Sequence, residues 1–198
     1  MSEAGISRTR AFLAMQSPLG ADALIPTAVT LEEAISEPFL AIVDVASSEA
    51  EIDPDKLLYH GVCVTLKRPG REPRHVHGFV RCFVATGPLP RSLFGYRLEV
   101  VPKLWFLSQT GDCRIFENKS TKDIVQTLCS EGGVDVAFRT DVPPARPFTV
   151  QYNETDLAFV TRLIEEEGCH DELVAGDGLY ARIYRAQTRS DLAQRSEA

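Results

Sequence analysis

Between Phe39 and Val100 the chain runs through short β-branched and aromatic stretches, each stopped within a few residues by proline, glycine or a polar cluster. A chain interrupted that often cannot bury its apolar side chains along long helices, so this region is committed to antiparallel sheet. Phe39 to Ala46 is apolar almost throughout, as in a strand buried on most of its length, and Pro38 marks its start. Val62 to Lys67 and Arg74 to Val84 flank Arg68-Pro69-Gly70-Arg71, a turn signature that makes them a twisted hairpin. In the second of these strands a period of two puts Val76, Val80, Cys82 and Val84 on one face, with a bulge or a close backbone approach expected at Gly78. Ala85 to Gly95, with Gly87, Pro88 and Pro90, reads as a loop. Tyr96, Leu98 and Val100 then alternate with Arg97 and Glu99 as a strand solvated on one side.

Helical signals are local and few. Asp53 followed by Pro54 is a cap with proline at the first position, enough for one turn before Gly61. Leu104 to Leu107 is an apolar knot. Ser120 with Asp123 three positions on approximates a capping box, Ile124, Val125 and Leu128 supply a buried stripe, and Gly132-Gly133 ends the helix. Val134 to Phe138 reads as a strand, and Val142 to Pro147, with its three prolines, as an extended connector. Phe148 to Tyr152 is a short strand leading into a second helix, capped by Asn153, with Leu157, Phe159, Val160, Leu163 and Ile164 on its apolar face and Gly168 at its exit. The fold class is therefore α+β and β-rich: a bent antiparallel sheet approaching a barrel, with the Ser120 and Asn153 helices covering one side.

Composition narrows the function classes. Lys and Arg number 21 against 28 Asp and Glu, a net charge of −7, and no stretch mixes basic and aromatic residues as a phosphate-tracking groove requires. Nucleic acid is excluded as an expected partner. Met1 to Arg10 carries Glu3 where a signal peptide needs an apolar core, and no run reaches the ~18 apolar residues of a membrane span. Folding in the cytoplasm, without a membrane partner, is the expectation. The cysteines, Cys63, Cys82, Cys113, Cys129 and Cys169, are odd in number and widely spaced, so a disulfide framework is not expected; Cys63 and Cys82 read as small buried hydrophobes.

No nucleophile elbow, P-loop, dinucleotide fingerprint or His-Glu-x-x-His helix occurs. His75 and His77 share a strand face, one way to present two imidazoles to zinc, but His60 and Cys82 lie at no recognisable ligand spacing. No metal site, cofactor or catalytic residue is assigned. The alternatives are a metal-dependent hydrolase built on His75 and His77, or a β-rich adaptor that binds a cargo protein by an exposed strand edge. Glu165-Glu166-Glu167 fans out around a helix end, where the dipole favours cations, so a neighbouring base such as Arg162 is expected.

Five stretches carry a family resemblance: Ser17-Pro18-Leu19-Gly20 with Leu24, Ser36-Glu37-Pro38-Phe39, His77-Gly78-Phe79-Val80, Arg114 to Ser120 followed by Asp123-Ile124-Val125, and Val150 to Asp156 followed by Phe159-Val160 and Arg162 to Gly168. Together they resemble the N-terminal hub portion of the VgrG family, the spike or tip proteins of type VI secretion systems, which is related to phage baseplate hubs. The resemblance spans about Phe12 to Gly168. It implies a non-enzymatic structural protein whose homotrimeric ring seats on the Hcp tube, that can associate with full-length VgrG or with effectors, and that is secreted through the machine in the intact family. It also implies a hub-like barrel domain, 1–168; the divergent remainder, 169–198, carries Arg182, Arg185, Arg189 and Arg195 among small and polar residues with few apolar anchors, and reads as a partly frayed tail or a short helix. The text after Gly168, Cys169-His170-Asp171-Glu172-Leu173, departs from the family's aromatic strand, so a shortened copy from a frameshifted or prematurely stopped gene is the expectation.

Overall fold

The structure, a computed structural model, describes residues 12–34, 37–138 and 144–166. These form two compact units. Residues 169–198, and with them the expected tail and Cys169, lie outside the described residues.

The first unit is a six-stranded antiparallel sheet: β1 (Leu13–Gln16), β2 (Ile25–Glu32), β3 (Leu40–Ser47), β4 (Gly61–Leu66), β5 (Arg74–Leu89) and β6 (Leu93–Val101). Its spatial order is β1-β4-β5-β6-β3-β2. The outermost strands, β1 and β2, come alongside each other, so the sheet curls into a nearly closed barrel, which removes most of the exposed edge an open sheet would present. Alternate side chains fill the interior: Ala41, Val43 and Val45 from β3, Val64 from β4, Val76 and Val80 from β5, Leu98 and Val100 from β6, all buried. On the outer face, Asp44 and Arg97 sit directly opposite in the ladder, with Nε donating to Oδ1 at 2.7 Å and Nη2 to Oδ2 at 3.1 Å. Such exposed pairs, screened by solvent, help fix register more than they stabilise the sheet.

Arg68 to Arg71 reverses the chain as expected, Gly70 taking φ +72°, which a residue without Cβ adopts at no steric cost. Two sequence readings are corrected here. Gly78 pairs regularly with Val62, and the ladder slips instead between Val80 and Cys82. Because one extra residue exchanges the faces, Phe83, opposite Leu98, takes over the side held by Val76 and Val80, and Val84 becomes half exposed. Phe83 then stacks on Tyr96 with centroids 5.1 Å apart. The second correction concerns Ala85 to Gly95: β5 runs on to Leu89, pairs with Leu93 and turns through Arg91 and Ser92, both at positive φ. Pro88 and Pro90 are tolerated because they stand at the end of a hairpin, where few ladder bonds remain to be made.

The second unit contains a 3-10 segment (Lys103–Ser108), β7 (Gly111–Lys119), α1 (Thr121–Glu131), β8 (Arg146–Thr155) and α2 (Asp156–Glu166). β7 and β8 pair antiparallel as a two-stranded sheet. The apolar knot forms the 3-10 segment, burying Leu104 and Leu107. These pack with Phe116, the α1 stripe (Ile124, Val125, Leu128) and the α2 stripe (Phe159, Val160, Leu163, Ile164) as one core. The helices thus find their apolar partner in β7, β8 and the 3-10 segment of their own unit. Val134 to Phe138 joins no ladder; Val134, Val136 and Phe138 pack against this core as irregular chain. No helix among the described residues is long and apolar enough to cross a membrane.

The α1 start is the capping box read from the sequence: Ser120 Oγ accepts from the Asp123 N–H, and Asp123 Oδ2 accepts from the Ser120 N–H, each at 3.2 Å. Ser120→Ala is expected to lower stability by about 1 kcal/mol in urea denaturation. The hydrogen bond from the Ser120 side chain, then that from its backbone, holds the Asp123 carboxyl below its ordinary 3.8. A depressed carboxylate pKa gives stability that is complete above the ordinary value and lost as pH falls through the folded one, so the variant should lose less stability than the wild type between roughly pH 5 and pH 2.

The α2 start differs from expectation. Asn153 takes φ +49° within β8 and does not cap. Thr155 does, its Oγ1 accepting from the Ala158 N–H at 3.1 Å, because β8 pairing with Gly111 holds the chain extended through residue 155.

Candidate functional site

A two-stranded sheet with helices on one side has a second side to account for. In β8, Phe148, Val150 and Tyr152 share one face and Thr149 and Gln151 the other. Ordinary patterning would bury the first set. The structure does the reverse: Gln151 is 0% and Thr149 7% exposed, whereas Phe148 is 69% and Tyr152 78% exposed. From β7, Phe116 points inward and stacks on Phe159 at 5.8 Å, while Ile115, paired directly with Val150, is 68% exposed. Ile115, Phe148, Val150 and Tyr152 therefore make an apolar outward face, with Glu117 opposite Phe148 in the ladder. Large contiguous apolar surfaces of this kind are characteristic of interaction sites.

A buried polar network sets this inversion. The Asp156 carboxylate, 4% exposed at the first turn of α2, accepts from Thr110 Oγ1 at 2.6 Å and from Gln151 Nε2 at 2.7 Å, and the Asp156 N–H donates to the Thr110 carbonyl at 2.9 Å. Gln151 Nε2 also donates to the Glu154 carbonyl at 3.1 Å. Turning Gln151 outward would strand that buried carboxylate, a larger cost than leaving a few apolar side chains in water. Among the described residues, Gln151 Oε1 and Thr149 Oγ1 are left without a partner.

Arg162 ties α2 to β8. Its Nη2 donates to Glu154 Oε1 at 2.6 Å and to the Val150 carbonyl at 3.1 Å, its Nη1 donates to Glu166 Oε1 at 2.8 Å, and its guanidinium lies 5.2 Å from the Phe159 ring centroid. Glu166 also takes Arg146 Nη1 at 2.8 Å. Arg146 first, and then Arg162, hold its carboxyl below the ordinary value. The cation expected beside the acidic helix end is thus present for Glu166; Glu167 lies outside the described residues.

His75 and His77 sit on β5 opposite Thr65 and Cys63, with Thr65 Oγ1 2.9 Å from His75 Nδ1 and Cys63 Sγ 3.5 Å from His77 Nε2. His60 Nδ1 donates to the Leu58 carbonyl at 2.9 Å. Among the described residues no three His, Cys, Asp or Glu side chains stand close enough together to hold a metal ion. Cys63 and Cys129 are buried, Cys82 is half-buried and Cys113 exposed, all as free thiols. Burial pushes the Cys129 thiol up to about 11, which suits a small core residue and opposes a nucleophile.

The sequence of residues 32–172 matches the family described as phage tail baseplate hub (GPD). Over 143 residues the chain is 37% identical to the type VI secretion system spike protein VgrG5 of Pseudomonas aeruginosa, a match covering 70% of this chain and 18% of that protein. It is 33% identical over 147 residues to the spike protein VgrG3 of Vibrio cholerae, covering 73% and 14%. The chain thus spans about a fifth or less of the length of these relatives. Among solved structures, the E. coli c3393 protein, a type VI secretion component described as similar to the T4 phage tail proteins gp27 and gp5, superposes with a TM-score of 0.64 at 24% identity, covering 79% of this chain and 43% of that one. The 43 kDa tail protein of prophage MuSo2 from Shewanella oneidensis superposes at 0.51 with 19% identity, covering 78% and 47%. Both structures share the fold. By the family match over most of its length, the chain belongs to the phage tail baseplate hub family, whose members are structural proteins, and it is homologous to the VgrG spike proteins of type VI secretion systems.

Proposed function

We propose that the chain acts as a hub subunit of a type VI secretion machine, three copies closing a ring that seats on the Hcp tube. Such a subunit would assemble in the cytoplasm and leave through the machine. The observation that carries this reading is the family match over 32–172, and the apolar outward face of β7 and β8 supplies surface of the kind an assembling subunit needs. A hub transmits force through packing and interface fit, so its work requires a rigid barrel and complementary surfaces with no reacting group.

Light scattering coupled to size exclusion tests the reading. A mass three times that of the 21.9 kDa chain is expected. A monomer at all concentrations counts against the ring and favours an adaptor that offers a strand edge to cargo; in the hub reading, tube protein should also co-purify with the trimer.

A further inference from the structure

Among the described residues, α1 and α2 pack on one side of the β7–β8 sheet, and Ile115, Phe148, Val150 and Tyr152 stay exposed on the other. Those four side chains present on the order of 400 Å², within the range of the largest apolar patches on monomers. A two-stranded sheet is marginal in water without packing, and a sheet face is ordinarily buried against a further layer. Glu117 and Lys119 both lie on the outward side of β7, so charge does not choose what docks here. Reach and apolar pattern do.

The chain itself leaves its second helix beside this face. α2 ends at Glu166, whose carboxylate takes Arg146 Nη1 at 2.8 Å, at the first residue of β8 and two positions before Phe148. Among the described strands β8 pairs with β7 alone, so its other edge is open to passage. The 12 residues between Glu166 and Leu179 can span about 40 Å, against about 10 Å from a sheet to the layer packed on it.

One stretch beyond Glu166 has the right pattern. Leu179 and Ile183, and Tyr180 and Tyr184, are each one helical turn apart. A helix gathers all four on one stripe and turns Arg182 and Arg185 away from it, with Asp177 placed to cap; a strand would split the four between two faces. The other large aliphatic residues of this region are Leu173-Val174 and Leu192, too few for such a stripe. The family match stops at residue 172, so this stretch is particular to the present chain. We propose that residues 177–186 form a short amphipathic helix that covers the outward β7–β8 face of its own chain. The inference goes beyond the hub reading, because a neighbouring subunit that uses this face must first displace the helix.

Hydroxyl-radical footprinting of the full chain, resolved by residue with mass spectrometry at low and high protein concentration, tests it on wild type and on Leu179→Asp/Ile183→Asp. Phe148 and Tyr152 should be oxidised at least about three-fold more slowly in the wild type than in the double variant, at every concentration. Tyr59, exposed in the other unit, should react equally in both. A cooperative Trp105 fluorescence transition in each chain shows that the core is intact. Arg182→Asp, on the opposite stripe, should keep both aromatic residues protected; exposure like that of the double variant overturns the stripe. Equal oxidation of Phe148 and Tyr152 in wild type and double variant overturns the covering helix. Protection that appears only at high concentration identifies a second copy as the occupant, which also overturns it and leaves the hub reading standing. A wild type of monomeric mass with both residues protected supports the covering helix and counts against the ring alone.

Discussion

Phe159→Ala is expected to destabilise the helix-bearing unit by about 3–5 kcal/mol. The Phe159 ring is fully buried, stacks on Phe116 across the β7–α2 interface and lies under the Arg162 guanidinium. Truncation therefore removes a transfer contribution, leaves a cavity between rigid neighbours and withdraws the surface against which Arg162 is held. Phe159→Leu keeps most of the volume and should cost less, about 1.5 kcal/mol. Trp105, the single tryptophan of the chain, lies in the same unit, so its fluorescence during guanidinium denaturation reports the transition. A loss below about 1 kcal/mol for the alanine variant would show that the two-helix core is not organised around this ring.

The second large effect is expected at Asp156. Asp156→Ala deletes the acceptor shared by Thr110 and Gln151, leaving a fully buried amide with reduced partnering at Nε2 and none at Oε1. An unsatisfied buried polar group costs about 1–3 kcal/mol, and losing an anion at a helix N-terminus adds to it, so about 3 kcal/mol is the expected total. Asp156→Asn retains one acceptor oxygen and should lose about half as much. The same variant carries a second readout: once the carboxylate is gone, Gln151 has less reason to point inward, so hydrogen exchange along β8 should quicken more than along the barrel strands. Unchanged exchange in β8 would mean that something other than the Asp156 network holds the inverted face.

That inversion marks where sequence reasoning stopped. Phe148, Val150 and Tyr152 were legible as one face, since a period of two follows from strand geometry alone. Which face goes inward is decided elsewhere, by a carboxylate at position 156 and a hydroxyl at position 110. No local pattern in β8 encodes that choice, although polar residues alternating with large apolar ones ahead of a helix start are a usable signal for a strand with two committed faces. The bulge after Val80 was equally hidden. Gly78 was the conspicuous residue, yet the slip occurs where β5 must keep pairing with β6 beyond its last regular partner in β4, a demand made by the sheet.

The family strings were legible because their residues serve local structure, as in the Ser120 capping box that links β7 to α1. Where a tertiary demand competed with such a local signal it prevailed: Asn153 is a capable cap, but ladder pairing carries β8 past it and moves the helix start to Asp156.

By itself the amino-acid sequence determined the β-rich class, the turn at Gly70, the capped start of α1, the apolar stripes of both helices and the kinship with hub proteins. All of these depend on residues within about one helical turn or one hairpin of each other, where geometry leaves few choices. Only the tertiary structure decided how nearly the barrel closes, where β5 slips register, and that β8 turns its aromatic side to the solvent. Each of these outcomes is a comparison of burial between distant segments, and at least one partner that settles it lies far along the chain, as Thr110 lies 46 residues from Asp156.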